Sequence, residues 1–215
     1  MPENLTPEER EIITKMVNEL MQNKTEEQRV IIRYLCDYPE DGCCGCGATP
    51  LLTDAQYIAK VQEKFTASKI RDTGMLKLGL DKDQVNEIPP VKFEGFVFDK
   101  ALAKRTANGN WVSSKYQVSW LFFSSEQVYL YEFTFDMTDN STREHTEEFF
   151  YRDITSFSTN YTTEKAYRYK ELVDISTNKF QLVVPGTYFS IAMGEDKDDV
   201  IQAMRQKLRE KKQEI

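Results

Sequence analysis

The sequence predicts an α+β protein: an N-terminal helical region, then a seven-stranded antiparallel barrel that a C-terminal helix caps. Up to about Leu80, apolar residues recur at helical spacing behind helix-capping signals. After Pro90 the pattern changes to short apolar and aromatic runs separated by turn residues. Residues 196–215 return to an amphipathic helical pattern. These changes predict two units, a helical region with a cysteine-rich loop over residues 1–90 and the capped barrel over residues 91–215.

Three capping signals predict where the N-terminal helices begin. Thr6–Glu9 and Thr25–Gln28 both place an acidic or amide side chain three residues after a threonine, which is the pattern of a capping box. Thr53–Gln56 repeats this pattern after the cysteine-rich loop. The third helix is expected to extend to Leu78, with a break near Gly74, because glycine is a poor helix former.

Seven runs rich in aromatic and β-branched residues predict the strands of the barrel. They cover residues 92–98, 115–123, 127–135, 145–159, 169–176, 179–185 and 187–193. The segments SSEQ, TNKF and PGTY between neighbouring runs have the length and composition of hairpin turns. A bend is expected inside the long run 145–159.

The run QVYLYEFTF, residues 127–135, carries large apolar side chains on both faces. A strand with one face in water alternates apolar with polar residues, so a second layer must cover the outer face. The N-terminal helices are the first candidate for this cover, and a second subunit of a homo-oligomer is the alternative. Val128 and Leu130 occupy one face, and the aromatic residues Tyr129, Tyr131, Phe133 and Phe135 occupy the other.

The stretch 92–212 resembles a bacterial pleckstrin-homology-like domain. The resemblance is carried by the step FFYRDITSFST at 149–159, the paired late strands and the terminal helix DVIQAMRQKLREK at 199–211. It implies a barrel closed by one helix, which presents loops or a groove to proteins, peptides or lipid headgroups. It covers a little over half the chain and implies no activity of its own.

The connection between the first two predicted strands, residues 99–115, is basic. Domains of the resembled family place a phosphoinositide-binding cluster in this connection, which makes an anionic ligand one interpretation of Lys100, Lys104, Arg105 and Lys115. The other interpretation is a solvated loop, since the tight basic pattern of lipid-binding members is missing. Trp111 in this loop is expected either to anchor a partner or to fold back onto the barrel.

All four cysteines lie in the loop 36–50: Cys36, Cys43, Cys44 and Cys46. The C-x-x-C-G spacing of the last three suits a zinc site, with Cys36 as a further ligand. The second interpretation is a loop whose thiols are packed or inert. Thiol redox chemistry and lipidation of the adjacent Cys43 and Cys44 are weaker hypotheses, because neither a thioredoxin-like pattern nor a basic or apolar flank accompanies the loop.

Two other segments carry residues with chemical potential. His145 is the single histidine, and Glu147 shares its strand face, where it could orient the imidazole. The ordinary interpretation is a strand residue. Residues 80–87, LDKDQVNE, place acids at alternate positions as a calcium loop does, but the glycine and closing glutamate of such loops are missing, which favours a helix cap.

Charge and hydropathy exclude several function classes. The net charge of −7 disfavours a non-specific nucleic-acid binder, which needs a basic surface. No apolar run is long enough to span a membrane, and the acidic N-terminal stretch lacks the pattern of a signal peptide. We therefore expect a cytoplasmic protein.

The preferred functional hypothesis is a non-catalytic binding or scaffolding module for a protein or peptide. No nucleophile elbow, zinc-protease motif or phosphate-binding loop is present, so we do not expect an enzyme. One alternative is a membrane-surface module that binds anionic headgroups through residues 99–115. The other is a thiol redox or metal-dependent protein that uses the cysteine loop.

Overall fold

The computed structural model describes residues 6–38, 52–67, 69–81, 83–85, 88–168, 171–195 and 197–214. In these segments the helices are α1 (Pro7–Leu20), α2 (Glu26–Leu35), α3 (Asp54–Ala67), α4 (Ile70–Lys77) and α5 (Asp198–Gln213). The strands are β1 (Ile88–Val97), β2 (Ala103–Arg105), β3 (Trp111–Ser113), β4 (Lys115–Phe123), β5 (Gln127–Asp136), β6 (Thr142–Phe150), β7 (Ser156–Arg168), β8 (Glu171–Val184) and β9 (Thr187–Ala192). A 3-10 turn, Tyr151–Asp153, joins β6 to β7. The α+β class is confirmed.

The capping signals place the helix starts as the sequence predicts. At α2, the Gln28 backbone N–H donates to Thr25 Oγ1 (3.2 Å) and the Thr25 N–H donates to Gln28 Oε1 (3.0 Å). The same reciprocal pair joins Thr53 and Gln56 at the start of α3. Each pair satisfies two backbone N–H groups that would otherwise lack a partner at the helix N-terminus. Among the described helices, none has the length and apolar character needed to cross a bilayer.

The expected break near Gly74 is wrong, because the interruption precedes Ile70. Lys69, the residue before α4, adopts a left-handed backbone with φ 45°, which ends helical continuity there. Gly74 lies inside α4 and is buried. A Cβ atom at Gly74 would lie 2.6 Å from Cδ1 of Tyr131, so the glycine lets α4 approach β5 closely.

The strands form two main antiparallel sheets and a small ribbon. The first sheet has the order β1-β4-β5-β6, and the second has the order β7-β8-β9. The ribbon consists of β2 and β3, which pair between β1 and β4 in the chain. A core between the two sheets contains Phe93, Leu121, Leu130, Phe157, Phe180, Leu182 and Ile191.

The prediction of seven strands is wrong, since nine strands are present in the described segments. The connection 99–115 contributes two of them, β2 and β3. The run 145–159 divides into β6 and β7 at the expected bend, while the runs 169–176 and 179–185 merge into β8. The segment TNKF is extended, and Lys179 pairs with both Asn160 and Ala192. The left-handed residue needed by a tight hairpin is Gly186 (φ 85°), in the PGTY turn that joins β8 to β9.

The expected closed barrel is also wrong. Within the described residues, no ladder connects a strand of the first sheet to one of the second. The sheets meet instead through isolated hydrogen bonds: the Gly194 N–H donates to the Glu94 carbonyl (2.8 Å), and the Ala192 N–H donates to Gln117 Oε1 (2.6 Å). At β7, Arg205 Nε of α5 donates to the Phe157 carbonyl (2.7 Å), so a helix side chain and not a strand of the first sheet bonds to this carbonyl.

The C-terminal helix caps the core, as the sequence predicts. Ile201, Met204 and Leu208 are one helical stripe of α5, and all three are buried in the core between the sheets. The helix therefore covers the apolar core between two sheets that are not paired with each other in the described residues.

The N-terminal helices cover the outer face of the first sheet, as the pattern of residues 127–135 predicts. Tyr57 and Val61 of α3 pack with Phe135 of β5 in one buried cluster. Ile70 and Met75 of α4 pack with Tyr131, Val118 and Phe122 in another. The first sheet is therefore the middle layer between the helices and the second sheet.

We predict that Gly74→Ala lowers the free energy of unfolding by about 1–2 kcal/mol. The added methyl group would also meet Cγ and Cβ of the buried Tyr131 (2.8 and 3.0 Å), which cannot move away without the β5 backbone, so the overpacking cost lies in the upper part of its usual range, about 2–3 kcal/mol. The better helix propensity of alanine returns about 1 kcal/mol. Chemical denaturation measures the difference. Leu76→Ala is the control on the same helix, because Leu76 is 81% exposed and should stay within about 0.5 kcal/mol of wild type. A Gly74→Ala protein as stable as wild type, or more stable, would contradict the close α4–β5 contact.

Candidate functional site

A cleft of about 710 Å³ lies where the β2–β3 ribbon, the end of β1, the strands β8 and β9, and helix α3 meet. This volume is within the range of ligand-binding clefts in proteins. Its walls combine aromatic rings, amides and carboxylates, and both the helices and the two sheets contribute residues. The cleft therefore depends on the way in which the three layers pack.

The tip of the ribbon forms one rim of the cleft. Gly109 adopts φ 90°, which allows the chain to turn between β2 and β3. Thr106 Oγ1 donates to the Asn110 carbonyl (2.8 Å), and Arg105 Nε donates to the Gly109 carbonyl (3.1 Å). These bonds within the turn hold the amide side chain of Asn108 and its neighbours at the rim.

Asp54, the first residue of α3, ties this rim to the helices. Its Oδ2 accepts from the Ala107 backbone N–H (2.9 Å), and its Oδ1 accepts from the Tyr34 hydroxyl (2.7 Å). Burial raises the pKa of Asp54, but the hydrogen bonds from Tyr34 and Ala107 and the nearby Lys104 outweigh this effect and lower it. Asp54 is therefore an ionised structural link between α2, α3 and the ribbon.

The floor of the cleft is a close approach between the backbones of β1 and the segment after β9. The Gly194 N–H donates to the Glu94 carbonyl (2.8 Å). A Cβ atom at Gly95 would lie 2.9 Å from the Gly194 nitrogen, and one at Gly194 would lie 3.2 Å from the Glu94 carbonyl oxygen. Glycine at both positions permits this approach, which fixes the first sheet against the second at the cleft.

Aromatic rings form much of the cleft wall. Phe96 and Tyr116 pack edge to face with ring centroids 5.1 Å apart, and Phe96 also stacks on Tyr57 behind it (6.3 Å). Phe98 and the half-buried Trp111 continue the wall toward the second sheet. Aromatic surface held by packing contacts a ligand at little cost in side-chain entropy.

Three acceptor groups line the cleft near these rings. Glu94 Oε1 pairs with Lys92 Nζ (2.7 Å), whereas Glu94 Oε2 is buried and no donor of the described residues reaches it. Asn178 Oδ1 on β8 is likewise buried, and no donor of the described residues reaches it. The carboxylate of Glu195 is exposed at the rim. Burial, followed by the charges of Glu94 and Glu195, raises the pKa of Tyr116.

The one lysine among the lining residues described is already paired. Lys179 Nζ lies 2.5 Å from Glu164 Oε1, and both side chains are largely buried, with 14% and 11% exposure. The pair contributes no net charge to the cleft. Glu94 is likewise compensated by Lys92, so the acidic character of the described lining comes from Asp54 and Glu195.

The predicted basic residues of the 99–115 connection contact the protein itself. Lys104 pairs with Asp37 (2.6 Å) and lies over the Tyr34 ring, 4.0 Å from its centroid. Lys115 donates to the Asp99 carbonyl (3.0 Å), and Arg105 donates within the ribbon turn. Lys100 is exposed, with a left-handed backbone of φ 52°.

Trp111, at the end of the ribbon, folds back onto the second sheet, which was the second of its two expected roles. It packs beside a buried cluster that contains Phe98, Ala166 and Ile175. The guanidinium of Arg168 lies over its ring, 5.8 Å from the centroid. Because Trp111 also lines the cleft, its fluorescence should report on ligand binding there.

Cys36 follows helix α2 and is buried in an apolar cluster with Ile13, Val17, Ile32 and Tyr38. Burial, with a smaller contribution from Asp37, raises the pKa of its thiol to about 12. A neutral packed thiol is the second of the interpretations that the sequence leaves open. Cys43, Cys44 and Cys46 lie outside the described residues, so the zinc, redox and lipidation hypotheses for the loop stay predictions.

The remaining candidate residues are placed as follows. His145 Nε2 lies 3.4 Å from Glu147 Oε1, and the imidazole stacks on Phe189 with centroids 5.9 Å apart. In the 80–87 run, the Asp81 N–H donates to Gln84 Oε1 (3.0 Å), a contact typical of a helix cap. Positions 82, 86 and 87 of this run lie outside the described residues. In the part of the chain that the structure describes, no group of three histidine, cysteine or acidic residues is arranged to hold a metal ion.

Comparison with known proteins finds no family model, no curated protein and no solved structure that matches this chain.

The cleft residues that matter most were not found from the sequence. Glu94, Asn178 and Glu195 belong to separate segments, and no spacing in the sequence relates them. One local signal was present: Gly95 interrupts the predicted strand KFEGFVF, and a glycine inside a strand often marks the close approach of another backbone.

We predict that Cys36 resists alkylation in the folded protein, because its raised pKa leaves almost no thiolate at neutral or mildly alkaline pH. Iodoacetamide treatment followed by peptide mass spectrometry measures the modified fraction at each cysteine. The same treatment in denaturant is the control and should label Cys36 fully. Rapid labelling of Cys36 in the native protein would show that it is not packed in the α1–α2 cluster.

Proposed function

We propose that the protein is a non-catalytic binding module that takes an extended peptide segment of a partner protein into the cleft. The observation that carries the proposal is the cleft itself, an open volume of about 710 Å³ with aromatic walls and buried acceptor groups that no described donor reaches. Buried acceptors without donors are uncommon in folded proteins, and a ligand can supply the missing hydrogen bonds.

The distribution of polar groups suits a peptide. A peptide backbone presents donors and acceptors at regular intervals, and these need partners when they leave water. Asn108 and Asn110 offer amides on the ribbon side of the cleft, and Ser176 offers a hydroxyl on β8. The rings of Phe96 and Tyr116, with those of Phe98 and Trp111, provide apolar surface between these rows for side chains of the peptide.

The resemblance to pleckstrin-homology-like domains is compatible with this proposal. The resemblance implies a closed seven-stranded barrel, which the two separate sheets of the described residues do not form; what agrees is a run of antiparallel strands followed by one terminal helix. Domains of that family present loops or a groove to peptides and proteins. The resemblance stays a prediction and supplies no residue of the proposed site.

The chemistry of the cleft favours a peptide over an anionic lipid headgroup. Glu94 and Glu195 line it, and its lysine, Lys179, is neutralised by Glu164. An anionic headgroup would be repelled by the two carboxylates. In the 99–115 connection, Lys104 would have to leave its pair with Asp37 before it could bind a phosphate.

We predict that a displayed library of random nonapeptides yields ligands for the wild-type protein, and that these ligands bind in the cleft. Ser176→Tyr should weaken their binding at least about tenfold, because the added ring fills the cleft beside exposed Ser176. Titration in a Trp120→Phe background, which leaves Trp111 as the single tryptophan, gives the dissociation constants.

The matched control for this experiment is Thr146→Tyr, the same enlargement at an exposed position of β6, outside the cleft. It should leave the affinities unchanged. A library that yields no ligand, or ligands that bind Ser176→Tyr as tightly as wild type, would contradict the proposal.

A further inference from the structure

We infer that the cleft selects a cationic side chain, arginine or lysine, in the peptide that it binds. This inference deepens the proposed function and rests on it. It assigns the ligand contacts to the Glu94 and Glu195 carboxylates and to the aromatic wall formed by Phe96 and Tyr116.

Glu94 is the main element of this site. A carboxylate accepts through both oxygens, yet only Oε1 has a partner, the Lys92 ammonium. Oε2 is buried without a donor among the described residues, and because the Glu94 side chain as a whole is 26% exposed, a turn of its carboxylate brings Oε2 to the cleft. A buried carboxylate oxygen is most strongly stabilised by a charged donor, because charge-assisted hydrogen bonds are about twice as strong as neutral ones.

Glu195 places a second negative charge at the same part of the cleft. The N–H of Gly194, the residue before Glu195, donates to the Glu94 carbonyl (2.8 Å), and both acidic residues line the same cleft. After burial, their charges are the next causes that raise the pKa of Tyr116. Glu195 is exposed at the rim, where it can meet an incoming ligand. Two carboxylates beside a partly desolvated surface attract a cation and repel an anion.

The remaining charges around the cleft leave this preference intact. Asp54 is held by Tyr34 and Ala107, and Lys179 is held by Glu164. The charged residues described in the lining are three carboxylates and one ammonium. Glu164 neutralises the ammonium of Lys179 and Lys92 pairs with Glu94, which leaves Asp54 and Glu195 as the uncompensated charges. A cationic ligand therefore need not displace an internal cation from Glu94 Oε2 or compete with Lys179.

The aromatic wall adds a second recognition element for a cation. Guanidinium and ammonium groups bind to the faces of aromatic rings, and guanidinium can stack while its N–H groups donate in the ring plane. The protein makes such contacts itself, with Lys104 over Tyr34 and Arg168 over Trp111. Asn178 Oδ1, a buried acceptor of a lining residue on β8, is a further partner for the N–H groups.

Three synthetic nonapeptides test the inference: one alternates glycine with arginine, one alternates glycine with glutamine, and one alternates glycine with glutamate. Binding is followed by Trp111 fluorescence in the Trp120→Phe background at low and moderate salt. We expect the arginine peptide to bind at least about tenfold more tightly than the glutamine peptide, and the glutamate peptide not to bind. The affinity for the arginine peptide should fall as salt is added.

Two cleft variants and one control locate the interaction. Glu195→Lys and Glu94→Gln should each weaken binding of the arginine peptide, by about tenfold and about fivefold respectively. Glu148→Lys changes an exposed residue of β6, outside the cleft, by the same charge as Glu195→Lys and should leave the affinity unchanged. Circular dichroism of each variant verifies the fold.

The outcomes separate this inference from the proposed function. If selected or synthetic peptides bind in the cleft but the glutamine peptide binds as well as the arginine peptide, the cationic preference is wrong and the peptide-binding function stands. If the arginine peptide binds equally to wild type, Glu195→Lys and Glu94→Gln, it binds elsewhere and the inference is overturned. If neither the library nor the synthetic peptides bind, both proposals fail.

Discussion

A stack of three aromatic rings joins the helical layer to the first sheet. Tyr34 of α2 stacks on Tyr57 of α3 with centroids 4.8 Å apart, and Tyr57 stacks on Phe96 of β1 at 6.3 Å. The Tyr57 hydroxyl donates to the carbonyl of Ser113 at the end of the ribbon (2.6 Å), in a fully buried position. Burial raises the pKa of Tyr57 well above its ordinary value, so the phenol remains a protonated donor at physiological pH. One side chain thus fixes α3, β1 and the ribbon in a single arrangement.

The cleft inherits its geometry from this stack. Phe96 is held between Tyr57 and Tyr116, which sets the position of the aromatic wall. Tyr34 donates to Asp54, and Asp54 in turn accepts from the tip of the ribbon. The rim and the wall therefore lie where the helices hold them, while the Gly95–Gly194 approach sets the floor. Because the cleft is assembled from three layers, carboxylates and buried acceptors from different segments meet at one place.

Local chemistry made part of this fold predictable. The Thr25 and Thr53 caps involve residues only three apart in the chain. Apolar side chains on both faces of residues 127–135 predicted a layer that covers the outer face. Whether the sheets close into a barrel was not predictable, because the answer depends on contacts between segments that are distant in sequence, such as the contact between α5 and β7. The continuous β8 also escaped prediction, since the composition of TNKF suits a turn and only pairing on both sides keeps it extended. The cleft was not predictable either, because its acceptors come from β1, β8 and the segment after β9, which are distant in sequence.

Equilibrium unfolding of the wild-type protein and of Tyr57→Phe, which keeps the ring and removes the hydroxyl bond to Ser113, tests most directly whether Tyr57 makes the helices and the first sheet one unit. Far-UV circular dichroism follows the helices, and the fluorescence of Trp111 and Trp120 follows the strands β3 and β4. A shared core predicts coincident transitions for both signals. Loss of the buried hydroxyl bond, which leaves the Ser113 carbonyl without its donor, should cost Tyr57→Phe about 1–3 kcal/mol and shift both midpoints equally. A shared core would be contradicted if, in either protein, the helical signal unfolded at a lower denaturant concentration than the tryptophan signal. It would also be contradicted if Tyr57→Phe shifted the helical midpoint and left the tryptophan midpoint unchanged.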